Sequence, residues 1–158
     1  MTSSTAQEVR RIVVGVDGSA CSKAALKWAL TQARLVDATI EAVSAWQDPA
    51  VNAYAFGLMS TPYPSENFTA ITQTALDEAV AEVRTGLDQA VVVVTRVEEG
   101  HPAQVLTKRA AGALMLVVGS RGHGAFAGML LGSVSQYCVQ HMTGPVVVIP
   151  LIESPASR

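Results

Sequence analysis

Apolar residues in this chain fall into short unbroken blocks, separated by longer stretches where they recur every three or four positions. The blocks are Ile12-Val13-Val14 with Val16, Val91 to Val94, Leu114 to Val118, and Val146 to Ile149, and a mixed run broken by Thr39, Glu41 and Ser44 extends from Ala38 to Trp46. Unbroken blocks of this length, rich in Val and Ile, read as strands buried on both faces, as in a parallel sheet. Strands are expected over residues 11–17, 38–46, 90–98, 114–119 and 145–150. The stretches between them carry the helical period. Ser19 or Ser22 caps a helix running to about Asp37, with Leu26, Leu30 and Ala33 on one face. Residues 66–89 form a second helix with the stripe Leu76, Val80, Val83 and Leu87. Pro102 suits the first turn of a third helix, over 102–112, and Ser133 opens a fourth, over 133–142. Residues 47–65 have no clear period and are long for a connection. They are expected as a flexible insertion or as a lid whose Tyr54, Phe56 and Tyr63 could cover a ligand.

Strands and helices alternating in this way predict an α/β fold, a single-domain open five-stranded sheet, mostly parallel, with helices on both faces. Ligands in such sheets bind beyond the carboxyl ends of the strands, where strand order reverses. Composition agrees: 49% of residues are hydrophobic but only 5% aromatic, which suits small-residue helix faces packed on aliphatic strands. With 158 residues the chain fits one domain, expected over 11–150 with tails at 1–10 and 151–158. The formal net charge of −2 and the lack of a basic patch leave nucleic acid unsupported as a partner. The apolar runs are too short to span a bilayer, and the N-terminus lacks the charged and apolar regions of a secretory signal, so a cytoplasmic protein is expected. Cys21 and Cys138 have neither a C-x-x-C nor a metal-ligand spacing and read as free thiols.

The chemistry concentrates in Gly119-Ser-Arg-Gly122-His-Gly124 and, further on, Gly132-Ser133. This glycine-rich turn follows a strand and leads into a helix, an order that offers backbone N–H groups and the positive end of a helix dipole to an anion. Glycine suits such a loop because it permits positive φ and close approach of the backbone to an oxygen cluster. Loop punctuation is the plain alternative. No lysine precedes Ser133, which removes the Walker A reading. The order G-x-x-G-x-G is not the dinucleotide fingerprint G-x-G-x-x-G. What remains is Gly-x2-Gly-x9-Gly-Ser. Asp17, at the end of the first strand, is either an Asx-turn residue or an acceptor for a ribose hydroxyl or base amine. Arg121 and His123 are phosphate ligands or solvated loop residues. No motif places a general base or a pair of metal-binding carboxylates, so binding is expected rather than phosphoryl transfer, and no catalytic residue or protein-held metal site is assigned.

Five segments together resemble the universal stress protein family: Val13-Val-Gly-Val-Asp17-Gly-Ser19, Val97-x-x-Gly100-x-Pro102-Ala103, Leu116-Val-Val-Gly119-Ser-Arg-Gly122-His-Gly124, Leu131-Gly-Ser-Val-Ser135 and Gly144-Pro-Val-Val-Val148. The likeness runs from about Arg11 to Pro150 in the family's order. It implies a Rossmann-like sheet of the adenine nucleotide alpha hydrolase type with strand order 3-2-1-4-5. It also implies an adenine nucleotide, ATP or AMP, as ligand of a stress-response regulatory module. Carried over by position, Gly119, Gly122, Gly132 and Ser133 would hold the phosphates, with Arg121, Val134 and Ser135 beside them, Asp17 at the adenosine end and the Ala45 backbone at the adenine edge. Mg2+ is expected with ATP, because phosphates held mainly by neutral amides leave charge to offset. The alternatives are a cyclic AMP-binding protein of the same fold, and a slow ATPase or nucleotidyl transferase. The last strand, Val146 to Ile149, is expected at the sheet edge, where the resemblance implies a homodimer. A protein partner of unknown identity is implied as well.

Overall fold

The structure, a computed structural model, describes residues 10–48, 57, 66–87, 89–123 and 128–151. Five strands, β1 (Arg11–Gly15), β2 (Thr39–Trp46), β3 (Val93–Glu99), β4 (Met115–Gly119) and β5 (Val146–Ile149), form one sheet in the order β3-β2-β1-β4-β5. All four neighbouring pairs are parallel. The helices are α1 (Ala20–Val36), α2 (Glu66–Arg84), α3 (Pro102–Arg109) and α4 (Ser133–His141).

The period-2 alternation of the strands builds two cores. Ile12, Val14, Ile40, Ala42 and Val117 face α1 and α2, where Leu26, Ala29, Leu76 and Val80 meet them. Val13, Val43, Leu116 and Val118 face the other way, onto Ala103, Leu106 and Ala110 of the α3 region and Cys138 of α4. On this second face Glu41 is nine-tenths buried. Its carboxylate lies 2.9 Å from Arg109 Nε and 3.5 Å from Arg11, and Arg109 also reaches Glu98 at 3.1 Å. A buried carboxylate needs such partners, and here they tie α3 to β1 and β2.

Element boundaries differ from the sequence expectations by a few residues, most at α2. That helix ends at Arg84 rather than near Gln89. Gly86 follows at φ +76°, and Arg84 Nη2 donates to the carbonyls of Gln89 (3.1 Å) and Val91 (3.2 Å), turning the chain into β3. At the start of α1, Ser19 is the N-cap and its hydroxyl accepts from the Ser22 amide; Asp37 closes the helix at φ 51°. Among the described residues, no helix is long and apolar enough to cross a membrane.

Candidate functional site

The chain leaves β1 toward β2 on one side, while β4 pairs with β1 on the other. Between their carboxyl ends opens a cleft of about 550 Å³. Asp17, Ala45, Gly119, Arg121, Gly122, Gly132, Ser133, Val134 and Ser135 all line it, so the nine positions singled out in the sequence come together here.

Gly132 N–H donates to the Ser120 carbonyl at 2.6 Å, closing the loop between β4 and α4. The Ser135 hydroxyl, buried beneath it, lies within hydrogen-bond range of the carbonyls of Ser120 (2.9 Å) and Gly132 (3.0 Å), between which it shares its one proton. That hydroxyl is therefore committed to holding the loop in shape. The two helix N-termini beside the cleft differ. α1 is capped by Ser19, whereas Gly132, the N-cap of α4, supplies no side-chain hydrogen bond. The first-turn amides of Ser133, Val134 and Ser135 lack intrahelical acceptors by the geometry of any helix start, and they lie at the cleft wall.

The three loop glycines serve different ends. None of Gly119, Gly122 and Gly132 has a positive φ, so left-handed backbone is not the reason for any of them. At Gly119 a Cβ would lie 2.7 Å from Cys21 Cβ and 2.8 Å from the Cys21 carbonyl carbon, so this glycine lets α1 pack on β4. Gly132 has extended backbone (φ −75°, ψ 170°), and a Cβ there would meet its nearest neighbours at 3.5 to 3.7 Å, an ordinary contact. The fold therefore does not require glycine at 132. A Cβ on Gly122 would collide with the Asp17 carboxylate.

Asp17 bridges the exit of β1 and the loop that follows β4. One carboxylate oxygen accepts the amide (2.9 Å) and the hydroxyl of Ser19. The other accepts the His123 amide, across the cleft, at 3.3 Å. Burial pushes the carboxyl pKa up, but hydrogen bonds from Ser19, Ser22 and His123 outweigh it and hold the pKa below the usual value. At the far end of the cleft, Ile71, Thr72 and Ala75 of α2 and Pro102 and Leu106 of α3 form an apolar wall. Sequence reasoning missed this wall, since Ile71 is 64% exposed and lies off the core stripe of α2. Cys21 and Cys138 are both buried. Most of the 47–65 segment, with Tyr54, Phe56 and Tyr63, lies outside the described residues, as does Gly124.

The model of the universal stress protein family matches residues 8–150. The chain belongs to this family. Universal stress protein Rv2623 of Mycobacterium tuberculosis is 35% identical over 140 residues, covering 87% of this chain and 44% of the relative. The chain thus spans less than half the length of that relative. Among solved structures, hypothetical protein MJ0577 superposes with a TM-score of 0.71 at 19% identity, covering 92% of this chain and 99% of that one. A universal stress protein in complex with cAMP superposes with a TM-score of 0.61 at 25% identity, covering 89% of this chain and 95% of that one. The likeness to these solved structures is a likeness of fold, the five-stranded Rossmann-like sheet described above.

Proposed function

We propose that the chain is a regulatory module of the cytoplasmic stress response whose cleft binds an adenine nucleotide. ATP or AMP is the ligand, and occupancy alters a surface read by a protein partner. The observation that carries this reading is the uncapped start of α4 above a glycine floor that the fold itself does not demand at Gly132. Unpaired amides at the positive end of a helix, with room in front of them, suit a phosphate. In this arrangement the amides of Ser133, Val134 and Ser135 and the backbone of Gly119, Gly122 and Gly132 hold phosphate oxygens, with Arg121 adding charge. The base lies toward the Ala45 backbone and the apolar wall. Mg2+ would accompany ATP and offset phosphate charge, and Asp17 is the one carboxylate among the described residues that line the cleft.

Cyclic AMP is the second reading, favoured by the structural neighbour bound to it. Nucleotide released from the purified protein by heat and identified chromatographically, followed by competition between ATP and cyclic AMP, separates the two. Phosphate release above background that disappears in Asp17→Ala would instead make the chain an enzyme. The chain is further proposed to form a homodimer through β5. The ladder prints its own polarity: Leu116 N–H donates to the Pro145 carbonyl and Ser120 N–H to the Ile149 carbonyl, so residues 145, 147 and 149 turn toward β4. Val146 and Val148 present their backbone groups outward, ready to pair with a second copy.

A further inference from the structure

The Asp17 carboxylate reaches into the loop that the proposed function assigns to phosphate. It accepts the His123 amide at 3.3 Å, and it fills the space that a Gly122 side chain would take. It cannot swing away freely, because its other oxygen is held by both the amide and the hydroxyl of Ser19. The hydrogen bonds that lower its pKa keep it anionic at neutral pH. Among the described residues lining the cleft, Arg121 carries the one permanent positive charge and Asp17 the one carboxylate. His123 lies beside them, its ring 3.8 Å from where a Gly18 Cβ would stand.

We propose that Asp17 is a charge-selecting residue: its carboxylate acts as a resident anion on the phosphate loop, disfavouring bare polyphosphates and favouring ligands of low phosphate charge or with an accompanying cation. The inference rests on the nucleotide reading but makes a narrower claim. A phosphate entering the loop either competes for the His123 amide or stays within a few ångströms of a fixed like charge. Like charges at that distance in a partly desolvated cleft repel strongly enough to change affinity on the order of tenfold. The penalty grows with the number of phosphates. Adenosine escapes it, AMP meets it weakly, and ATP without a divalent cation meets it in full.

The decisive variant is Asp17→Asn, which keeps the shape and the acceptor oxygen for Ser19 while removing the charge. It also replaces the acceptor for the His123 amide by an NH2 donor, a change that adenosine and phosphate-bearing probes meet alike. Calorimetry in EDTA with adenosine, AMP, ATP and tripolyphosphate compares it with the parent. Adenosine affinity should stay the same. AMP should tighten a few-fold, and ATP and tripolyphosphate on the order of tenfold, with the ATP gain shrinking when excess Mg2+ is added. Tripolyphosphate has no ribose, so its response isolates the charge from any contact to a sugar hydroxyl. An equal change for all nucleotides, or weaker ATP binding in Asp17→Asn, would overturn the charge-selecting role and leave the nucleotide reading intact. Absence of binding to all four probes in both proteins would overturn the nucleotide reading itself.

Discussion

Two alanine substitutions in one loop should have opposite consequences. At Gly119, the new Cβ would stand 2.7 Å from Cys21 Cβ, 2.8 Å from the Cys21 carbonyl carbon and 3.0 Å from the Ser22 amide nitrogen. Two of these are backbone atoms in the first turn of α1, so relief requires that turn to move off the sheet. Overpacking of this kind costs about 1–3 kcal/mol. For a domain of this size each kcal/mol shifts the melting temperature by about 2–4 °C, so Gly119→Ala should lower Tm by about 4–8 °C at a mid-range cost of about 2 kcal/mol. At Gly132 the backbone is extended and the Cβ would make contacts of 3.5, 3.6 and 3.7 Å with Arg121 Cα, the Ser120 carbonyl and the Gly122 nitrogen. Gly132→Ala should therefore leave Tm within about 2 °C of the parent, yet weaken ATP on the order of tenfold by placing a methyl group at the cleft wall against Arg121 and Gly122, where the proposed phosphates lie. Differential scanning calorimetry reads the first quantity and isothermal titration the second. A Gly132→Ala protein that melts as early as Gly119→Ala, or binds ATP like the parent, would refute the division between a packing glycine and a ligand glycine.

Three further outcomes follow from the same coordinates. Cys138 is fully buried and burial pushes its thiol pKa up to about 11, so neither it nor buried Cys21 should react with a thiol reagent at pH 8 until the protein unfolds; rapid native labelling at either would contradict the packing. Asp17 has a folded pKa below its unfolded value of about 3.9, so its contribution to stability is present above that value and is lost as pH falls through the folded pKa. Urea unfolding of Asp17→Asn should accordingly show a flatter decline below about pH 4 than the parent, and parallel curves would mean the hydrogen bonds to Ser19 and His123 are not kept in solution. For the proposed dimer, Val148→Pro removes an outward amide and should yield a folded monomer by light scattering, whereas Val147→Pro removes an inward one and should destabilise the β4–β5 pairing itself. A dimeric Val148→Pro protein would place the interface elsewhere.

The sheet was legible because its signal is local: short Val- and Ile-rich blocks suit strands, and the alternation with helical periods leaves few topologies. Burial on both faces holds for β1 and β4 but not for the edge strands β3, where Val94 stands exposed, and β5. The glycine-rich turn was legible for the same reason, its glycines and Ser133 lying within one segment that leads from β4 to α4. What escaped depends on residues distant in the chain. Nothing near Gly119 announces that its missing side chain makes room for Cys21, and nothing near Asp17 announces a partner at His123. Conformational freedom accounts for none of the three motif glycines, and only assembled neighbours separate their roles. Ile71, Thr72 and Ala75 were hidden by their position off the buried stripe of α2, since an exposed flank of a helix carries no periodic mark of the cleft it faces. Gly86 does have the positive φ that glycine favours, and there it ends the chain's run as a helix earlier than the apolar stripe suggested.

If the cleft between β1 and β4 holds an adenine nucleotide by the amides at the start of α4, ATP must bind there and Gly132 must matter to it. Isothermal titration of the ligand-free protein with ATP in the presence of Mg2+, repeated with Gly132→Ala, tests this most directly. One site per chain with a dissociation constant in the micromolar range is expected for the parent, and a loss on the order of tenfold in the variant, at unchanged melting temperature. No heat in the parent with ATP, AMP or cyclic AMP, or equal binding by both proteins, would contradict this.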